Sequence, residues 1–362
     1  MARAPLNALG SADTSVSLVP GRWHAVGVFG ACVAVLIVAI VVAVAVGAIP
    51  IPPIAVVEIT LSRLLALPRP AAYPDTYDKI LFDIRMPRIA ITALIGAALA
   101  ASGSTYQGLF RNPLADPYLV GVASGAGLGA TLAIAFNLPA TPLGLGAVPV
   151  GAFLGAIVTV AVVVLSAQVG RTTPVSTMLL AGVAIGSFAS AFTTFLMLRS
   201  PDGLRRAFNW LLGGYTGGGW EPFQIILPYL VIGLVVLQLN ARALNVLQLD
   251  EEQARQLGIN VERLKLTLVT AATLMTSAAV AFGGLVGFVG LVVPHVLRMF
   301  SGPDYRRLIP LSAIGGAAFL IMADLVARTI LAPTELPVGV VTALTGAPFF
   351  VLLLRRLKRS VF

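Results

Sequence analysis

The sequence predicts an all-α integral membrane protein with ten transmembrane helices. Apolar residues make up 58% of the 362 positions and charged residues only 11%, with a mean hydropathy of +0.95. No soluble fold of this length has an interior large enough to hide that much apolar surface. The apolar residues gather in runs of about 20, the length of a membrane-spanning helix, whereas a barrel would show short alternating strands. Glycine reaches 36, and many fall inside these runs, as at Gly125, Gly127, Gly129, Gly182 and Gly186, which suits helices packed through small faces. The segments lie at about 26–49, 86–107, 117–137, 146–168, 176–198, 222–240, 265–287, 289–300, 308–331 and 338–354.

Residues 26–49 exceed the roughly 7–15 residue apolar core of a signal peptide and lack a convincing cleavage site, so they read as a retained span after a tail of residues 1–25. The single cysteine, Cys32, lies inside this run, leaving no disulfide framework within one chain. Residues 50–85 form an outer segment with Pro50, Pro52, Pro53, Pro68, Pro70 and Pro74, Tyr73 and Tyr77, and a helical stretch at 56–65 from which Arg63 projects. After the second span, Asn112-Pro113 and Asp116-Pro117 carry turn chemistry. In the fifth span Ser187, Ser190 and Thr194 share one face and Phe188, Phe192 and Phe195 the next; either suits a pore for a large amphiphilic ligand, and either suits helix or lipid packing. Residues 203–213 read as a short amphipathic helix, with Trp210 and Trp220 at interface depth.

The stretch from Leu244 to Gly258 is a charged, helix-prone island. Asp250 with Gln253 three residues on has the arrangement of a capping box, and Gly258 supplies a left-handed stop. Ala254, Leu257, Val261 and Leu264 follow at three- and four-residue spacing, giving one apolar and one charged face. The eighth segment is too short to cross alone. It either continues from the turn at Gly283-Gly284 or lies among other helices, where irregular backbone is tolerated. The ninth holds Asp324 and Arg328 four residues apart toward its outer end, the spacing of a mutual ion pair.

With both termini inside, the cytoplasmic side receives Arg111, Arg171, Arg242, Arg255, Arg263, Lys265, Arg298, Arg306, Arg307 and the cluster Arg355-Arg356-Leu357-Lys358-Arg359. Fewer basic residues fall outside, so the orientation obeys the positive-inside rule. It also places the 244–258 island in the cytoplasm. The net charge of +9 is spread over loops and one tail, which fits membrane orientation and not nucleic acid.

Several chemistries have no support. No G-x-x-x-x-G-K-[ST] occurs, so any ATP is handled by another subunit. His24 and His295 are the only histidines; one stands near the start of the first span and the other after Pro294, positions that suit structural histidines and argue against a paired-histidine cytochrome, and no metal site or hydrolase constellation is apparent. An ion-coupled carrier of a small amphiphilic solute, the alternative class, normally keeps ionisable residues near the midplane. Here it would depend on Asp324.

Taken together, Arg85-Met-Pro-Arg88, the run from Arg111 to Gly125, Leu179-Leu-Ala-Gly-Val-Ala184, Trp210-Leu-Leu-Gly-Gly214, Leu244 to Lys265, Gly287 to Arg298 with its Val-Pro-His, and Ala323 through Pro348 resemble the FecCD-type permeases of ABC importers for vitamin B12, ferric siderophores or haem. The matches run in one order from about residue 80 to the C-terminus. The resemblance implies a single ten-helix permease domain over 26–362 in a bacterial or archaeal cytoplasmic membrane. It implies a homodimer, two ABC ATPase subunits that hold ATP and Mg, and an extracytoplasmic substrate-binding protein, with no cofactor bound by the chain and no catalytic residue. By the same resemblance, residues 244–264 are a coupling segment in which Gln248, Asp250, Ala254, Arg255, Leu257 and Gly258 meet the ATPase. Asn112, Leu114, Ser176 and Thr177 match a cytoplasmic gate, and Arg63 and Arg328, helped by Arg205 and Arg206, match residues that dock the binding protein. Residues 1–25 and 68–78 match no family motif.

Overall fold

The computed structural model describes residues 22–47, 49, 51–68, 72–141, 145–214 and 218–359. Most of the expected tail, part of the 68–78 loop and the side chains of Arg356, Lys358 and Arg359 lie outside the described residues. In chain order the helices are α1 (Arg22–Ala45), α2 (Pro53–Leu64), α3 (Asp75–Lys79), α4 (Met86–Leu109), α5 (Val122–Ala135), α6 (Ala147–Ser166), α7 (Val175–Arg199), α8 (Pro201–Leu211), α9 (Glu221–Leu247), α10 (Glu251–Gln256), α11 (Val261–Gly283), α12 (Val289–Ser301), α13 (Tyr305–Thr329) and α14 (Val338–Arg359). A π-helical turn, Ile80–Arg85, joins α3 to α4, and a 3₁₀ turn, Pro117–Val120, precedes α5.

Among the described residues seven helices are long and apolar enough to cross a membrane, counting α3, the π turn and α4 as one; α5, α12 and Val338–Leu352 of α14 are shorter apolar helices. The protein is a multi-pass, all-helical membrane bundle. Its centre is α4, buried along almost its whole length, with α11 and α13 beside it, whereas α1, α6, α7 and α9 expose long apolar faces.

Small residues explain why α4 takes the centre. A Cβ on Gly96 would stand 2.2 Å from the Gly316 carbonyl oxygen of α13, and one on Gly103 would stand 2.0 Å from that of Gly290 in α12. The same device joins α5 to α6, where Gly129 faces the Gly151 backbone and Gly125 that of Gly155. Between apolar helices in lipid no hydrophobic driving force remains, so close backbone approach supplies the dispersion contact. The buried Tyr106 hydroxyl meets Thr273 Oγ1 at 3.0 Å, linking α4 to α11.

One open alternative closes, in favour of a segment lying among other helices, and two expectations change. The eighth segment does not continue α11: residues 284–288 are non-helical, with Gly284 and Phe288 both at positive φ, and α12 starts afresh at Val289. It packs among α4, α13 and α14, where Gly290 meets the Leu99 carbonyl, Gly315 meets Leu297 and Gly346 meets Phe288. The irregular residues 284–288 are all buried or half-buried, the condition under which such backbone is tolerated in a lipid solvent. The third segment does not begin as α-helix at 117 but as the 3₁₀ turn, ended by Gly121 at φ 89°. The first span stops at Ala45 and not near 49. There the buried Arg85 donates to the carbonyls of Val44 (2.6 Å), Ala45 (3.2 Å) and Ile49, and Arg328 to that of Ala43. Carbonyls orphaned at the helix end are thus satisfied by two guanidinium groups from other helices.

Candidate functional site

The expected coupling segment is built from the end of α9 outward. Gln248 follows α9, and its side-chain amide donates to the Gly108 carbonyl at 2.9 Å and the Leu244 carbonyl at 3.0 Å, pinning the turn to the end of α4. Asp250 is extended and begins α10. Its carboxylate accepts from the Glu251 N–H at 2.7 Å and from Arg111 at 3.1 Å. Those two donors, the backbone first, hold the Asp250 carboxyl below the usual range. The cap therefore exists, but not as the expected capping box: the carboxylate is shared between the adjacent N–H and Arg111 and does not reach toward Gln253.

Helix α10 ends as a Schellman turn. Gly258 sits at φ 82°, its N–H donates to the Arg255 carbonyl at 2.9 Å, and the Ile259 N–H donates to that of Ala254 at 3.0 Å. The expected apolar face divides. Ala254, Val261 and Leu264 are buried, while Leu257 is 65% exposed and Leu249 62%, so two leucines point away from the bundle. Arg255 lies 3.5 Å from Glu251, 3.6 Å from Glu252 and 3.7 Å from Glu262. Behind them the buried Lys265 ties the hairpin down, 2.8 Å from Glu251, 3.4 Å from Glu262 and donating to the Thr173 carbonyl at 3.1 Å. The Thr173 N–H in turn donates to Glu262 at 2.9 Å. The hairpin is therefore fastened to the turn that opens α7. Asn260, whose side chain accepts from the Arg263 N–H at 3.0 Å and caps α11, was missed in sequence although an asparagine before an amphipathic run is its signal.

At the same end, Asn112 accepts from the Leu114 N–H at 2.9 Å and Asp116 from the Tyr118 N–H at 2.8 Å, so both make Asx turns. Asn112 is exposed and Leu114 half-buried; Ser176 is exposed and Thr177 half-buried in the first turn of α7. The two segments approach where a Cβ on Gly182 would stand 2.2 Å from the Leu119 carbonyl oxygen. Further along, Ser187, Ser190 and Thr194 line an open groove of about 790 Å³ whose other walls include Tyr118, Leu119, Ser124 and Leu285. Phe188, Phe192 and Phe195 lie outside its lining and stack along the helix with centroids 6.3 and 5.9 Å apart.

The opposite end holds the four arginines expected to dock a binding protein. Arg63 is exposed, 3.3 Å from Asp78, and lies over the Phe82 ring at 4.2 Å. Arg205 and Arg206 are exposed on α8; Arg206 donates to Asn137 at 2.7 Å beside a cavity of about 650 Å³ that Trp210 and Glu221 also line. Arg328 departs from expectation. It is 7% exposed, turned inward onto the end of α1, and so presents no free guanidinium on the outer surface. The local pair with Asp324 is also loose, at 3.8 Å. Asp324 is held instead by Arg88, which reaches Glu335 with its other nitrogen at 2.9 Å.

A polytopic bundle whose polar features sit at its two ends, with an open groove along one helix and a rigid charged hairpin at one end, has the form of a membrane transport protein. A FecCD transport family model matches residues 35–356. The cobalamin import system permease protein BtuC of Halobacterium salinarum is 46% identical over 295 residues, 82% of this chain and 78% of the relative. The hemin transport system permease protein HmuU of Yersinia pestis is 42% identical over 293 residues, 79% of this chain and 86% of the relative. A solved ABC transporter of the metal-chelate type, in an inward-facing conformation, superposes with a TM-score of 0.78 at 29% identity, covering 91% of this chain and 98% of that one. The chain belongs to the FecCD transport family.

Proposed function

We propose that the chain is the membrane-spanning permease subunit of an ATP-driven importer that moves a corrinoid or an iron chelate, haem or a ferric siderophore, into the cell. The observation that carries this is the hairpin around α10. It presents Leu249 and Leu257 outward from a base locked by Gln248 and by the buried Lys265 with Glu251 and Glu262. Two apolar side chains on a rigid, charged platform suit insertion into a partner's cleft, and the locked base transmits a push to α7 as a rigid-body movement. ATP and Mg belong to two separate ATPase subunits, since the sequence has no phosphate-binding loop.

In this reading α5, α12 and α14 complete ten spans, both termini lie in the cytoplasm, and a second copy pairs through the exposed side of α7. The groove lined by Ser187, Ser190 and Thr194 then becomes half of the pathway along the two-fold axis, with Asn112, Leu114, Ser176 and Thr177 at its cytoplasmic constriction. Arg63, Arg205 and Arg206 offer exposed positive charge to acidic groups on a binding protein. Arg328 is left out of that surface because it is buried. The relatives named for cobalamin and hemin, and the metal-chelate transporter, support the substrate class.

The test is ATP hydrolysis and uptake by the permease in liposomes with its ATPase and binding protein, comparing haem, cobalamin and a ferric siderophore. Stimulation and uptake with one of them is expected. Proton-dependent uptake by the purified chain alone would overturn the reading and establish an ion-coupled carrier.

A further inference from the structure

Beside the hairpin, the ends of α6, α7 and α11 enclose a cavity of about 330 Å³, at the small end of the range for small-ligand sites. Its lining changes character along one direction. Val164, Met178 and Leu266 belong to the apolar spans, whereas Arg171, Arg263 and Lys265 belong to the charged end. One carboxylate faces the cavity, that of Glu262, and it is already engaged by the Thr173 N–H, by Lys265 and by Arg255. Lys265 is likewise committed to Glu251 and Glu262. Arg171 and Arg263 differ. Both are exposed, and neither guanidinium is paired with a carboxylate among the described residues.

Two unpaired guanidinium groups beside an apolar cleft, at the level where spans meet charged turns, match a phosphodiester that carries acyl chains. We propose that this cavity binds the headgroup of an anionic glycerophospholipid. Its phosphate lies between Arg171 and Arg263, and an acyl chain descends past Val164 and Leu266. The site bridges α11, which follows the hairpin, to the turn before α7, so a bound lipid fixes the spacing of the two elements that Thr173 and Glu262 already join. A soluble phosphate satisfies the guanidinium groups but leaves the apolar wall bare, and for that reason the lipid is favoured.

The purified full-length chain in neutral detergent is titrated with phosphatidylglycerol, phosphatidylcholine and inorganic phosphate, with retained lipid read by native mass spectrometry and stability by thermal melting. Phosphatidylglycerol is expected to be retained and to raise the melting temperature, with no matching effect of the other two. Near the membrane surface each basic residue is worth roughly fivefold in affinity, so R171Q/R263Q should weaken phosphatidylglycerol binding about 25-fold. Arg242→Gln, an exposed arginine of α9 outside the cavity lining, should leave it unchanged. Should the double variant not purify, each single variant should lose about fivefold. Equal retention by wild type and R171Q/R263Q, equal binding of phosphatidylcholine, or the same stabilisation by inorganic phosphate would each overturn the proposal.

Discussion

Arg88 and Asp324, 236 residues apart in sequence, meet as a fork at the end of the bundle opposite α10: Nε lies 3.1 Å from both carboxylate oxygens and Nη2 lies 2.9 Å from Oδ1. Arg328 adds its charge 3.8 Å from Oδ2, and Arg85 is buried nearby against the end of α1. Asp324 is the buried carboxylate of this cluster, since Glu335 is more than half exposed. One carboxylate thus holds together three helices: α4 through Arg88, its own α13, and α1 through Arg328.

Removing that carboxylate takes away the buried counter-charge of Arg88 and Arg328 and leaves Arg88 only the half-exposed Glu335 and Arg328 only the Ala43 carbonyl, close to the situation in which breaking a buried ion pair costs about 3–5 kcal/mol. Asp324→Ala should therefore lower the melting temperature of the purified chain sharply, with Arg88→Ala somewhat milder because Arg328 remains near the carboxylate. If Asp324 instead served ion coupling, its loss would leave stability intact and abolish proton-dependent uptake. Melting and uptake measured on the same preparation separate the two.

The contact between Gly96 and Gly316 gives a second prediction. With a Cβ on Gly96 placed 2.2 Å from a backbone carbonyl, no flexible group can yield, and α4 must separate from α13. Gly96→Val should cost at least the upper end of the roughly 1–3 kcal/mol typical of overpacked cores. Gly27→Val is the matched control, because a Cβ there meets nothing within 4 Å. Monodispersity in size-exclusion chromatography and thermal melting read the difference.

What was legible in the sequence was whatever local rules govern. The apolar runs, the Asp250 start and the Gly258 stop depend on neighbours a few residues away, and the structure keeps them. The errors share one cause. Four-residue spacing predicts the pair of Asp324 with Arg328, which is present at 3.8 Å, but not the closer hold of Arg88 on the same carboxylate or the reach of Arg328 to α1. Arg85 reaches back 41 residues to the Val44 carbonyl, and no periodicity announces a cap supplied by another helix. Leu257 fits the apolar stripe by spacing but is left exposed, because the short α10 buries only Ala254. Tertiary partners decided each of these, and a helical wheel contains none of them.

Asp304 offers a pH-dependent test outside the spans. It caps α13 through the Arg306 N–H, accepts from Asn245 at 2.6 Å, and is paired with the Arg306 guanidinium at 3.1 Å. Partial burial pushes its carboxyl up, but the bonds from Arg306 and Asn245 outweigh this and hold it below the usual range. A depressed folded value means the contribution is complete above the unfolded pKa of about 3.9 and is lost as pH falls through the folded value. Asp304→Ala should cost about 1–2 kcal/mol at neutral pH. The gap from wild type should stay constant down to about pH 4 and then close; a gap that widened on acidification would sink this account.

Leu257 and Gly258 test the hairpin itself. Leu257 is 65% exposed, so the fold of the isolated chain has little use for it, and Leu257→Ser should change stability by no more than about 0.5 kcal/mol. If the side chain fills a cleft of the ATPase, the same change removes an interface anchor worth 2 kcal/mol or more, roughly thirtyfold in binding. Substrate-stimulated ATP hydrolysis and uptake should then fall together while the permease stays inserted and monodisperse. Gly258 acts by conformation: at φ 82° with nothing near its Cβ position, Gly258→Ala meets no clash but pays about 1 kcal/mol for the left-handed backbone. That cost loosens the turn that presents Leu257, so coupling should weaken less than with Leu257→Ser. Normal coupled uptake by both variants would show that the ATPase grips the permease elsewhere.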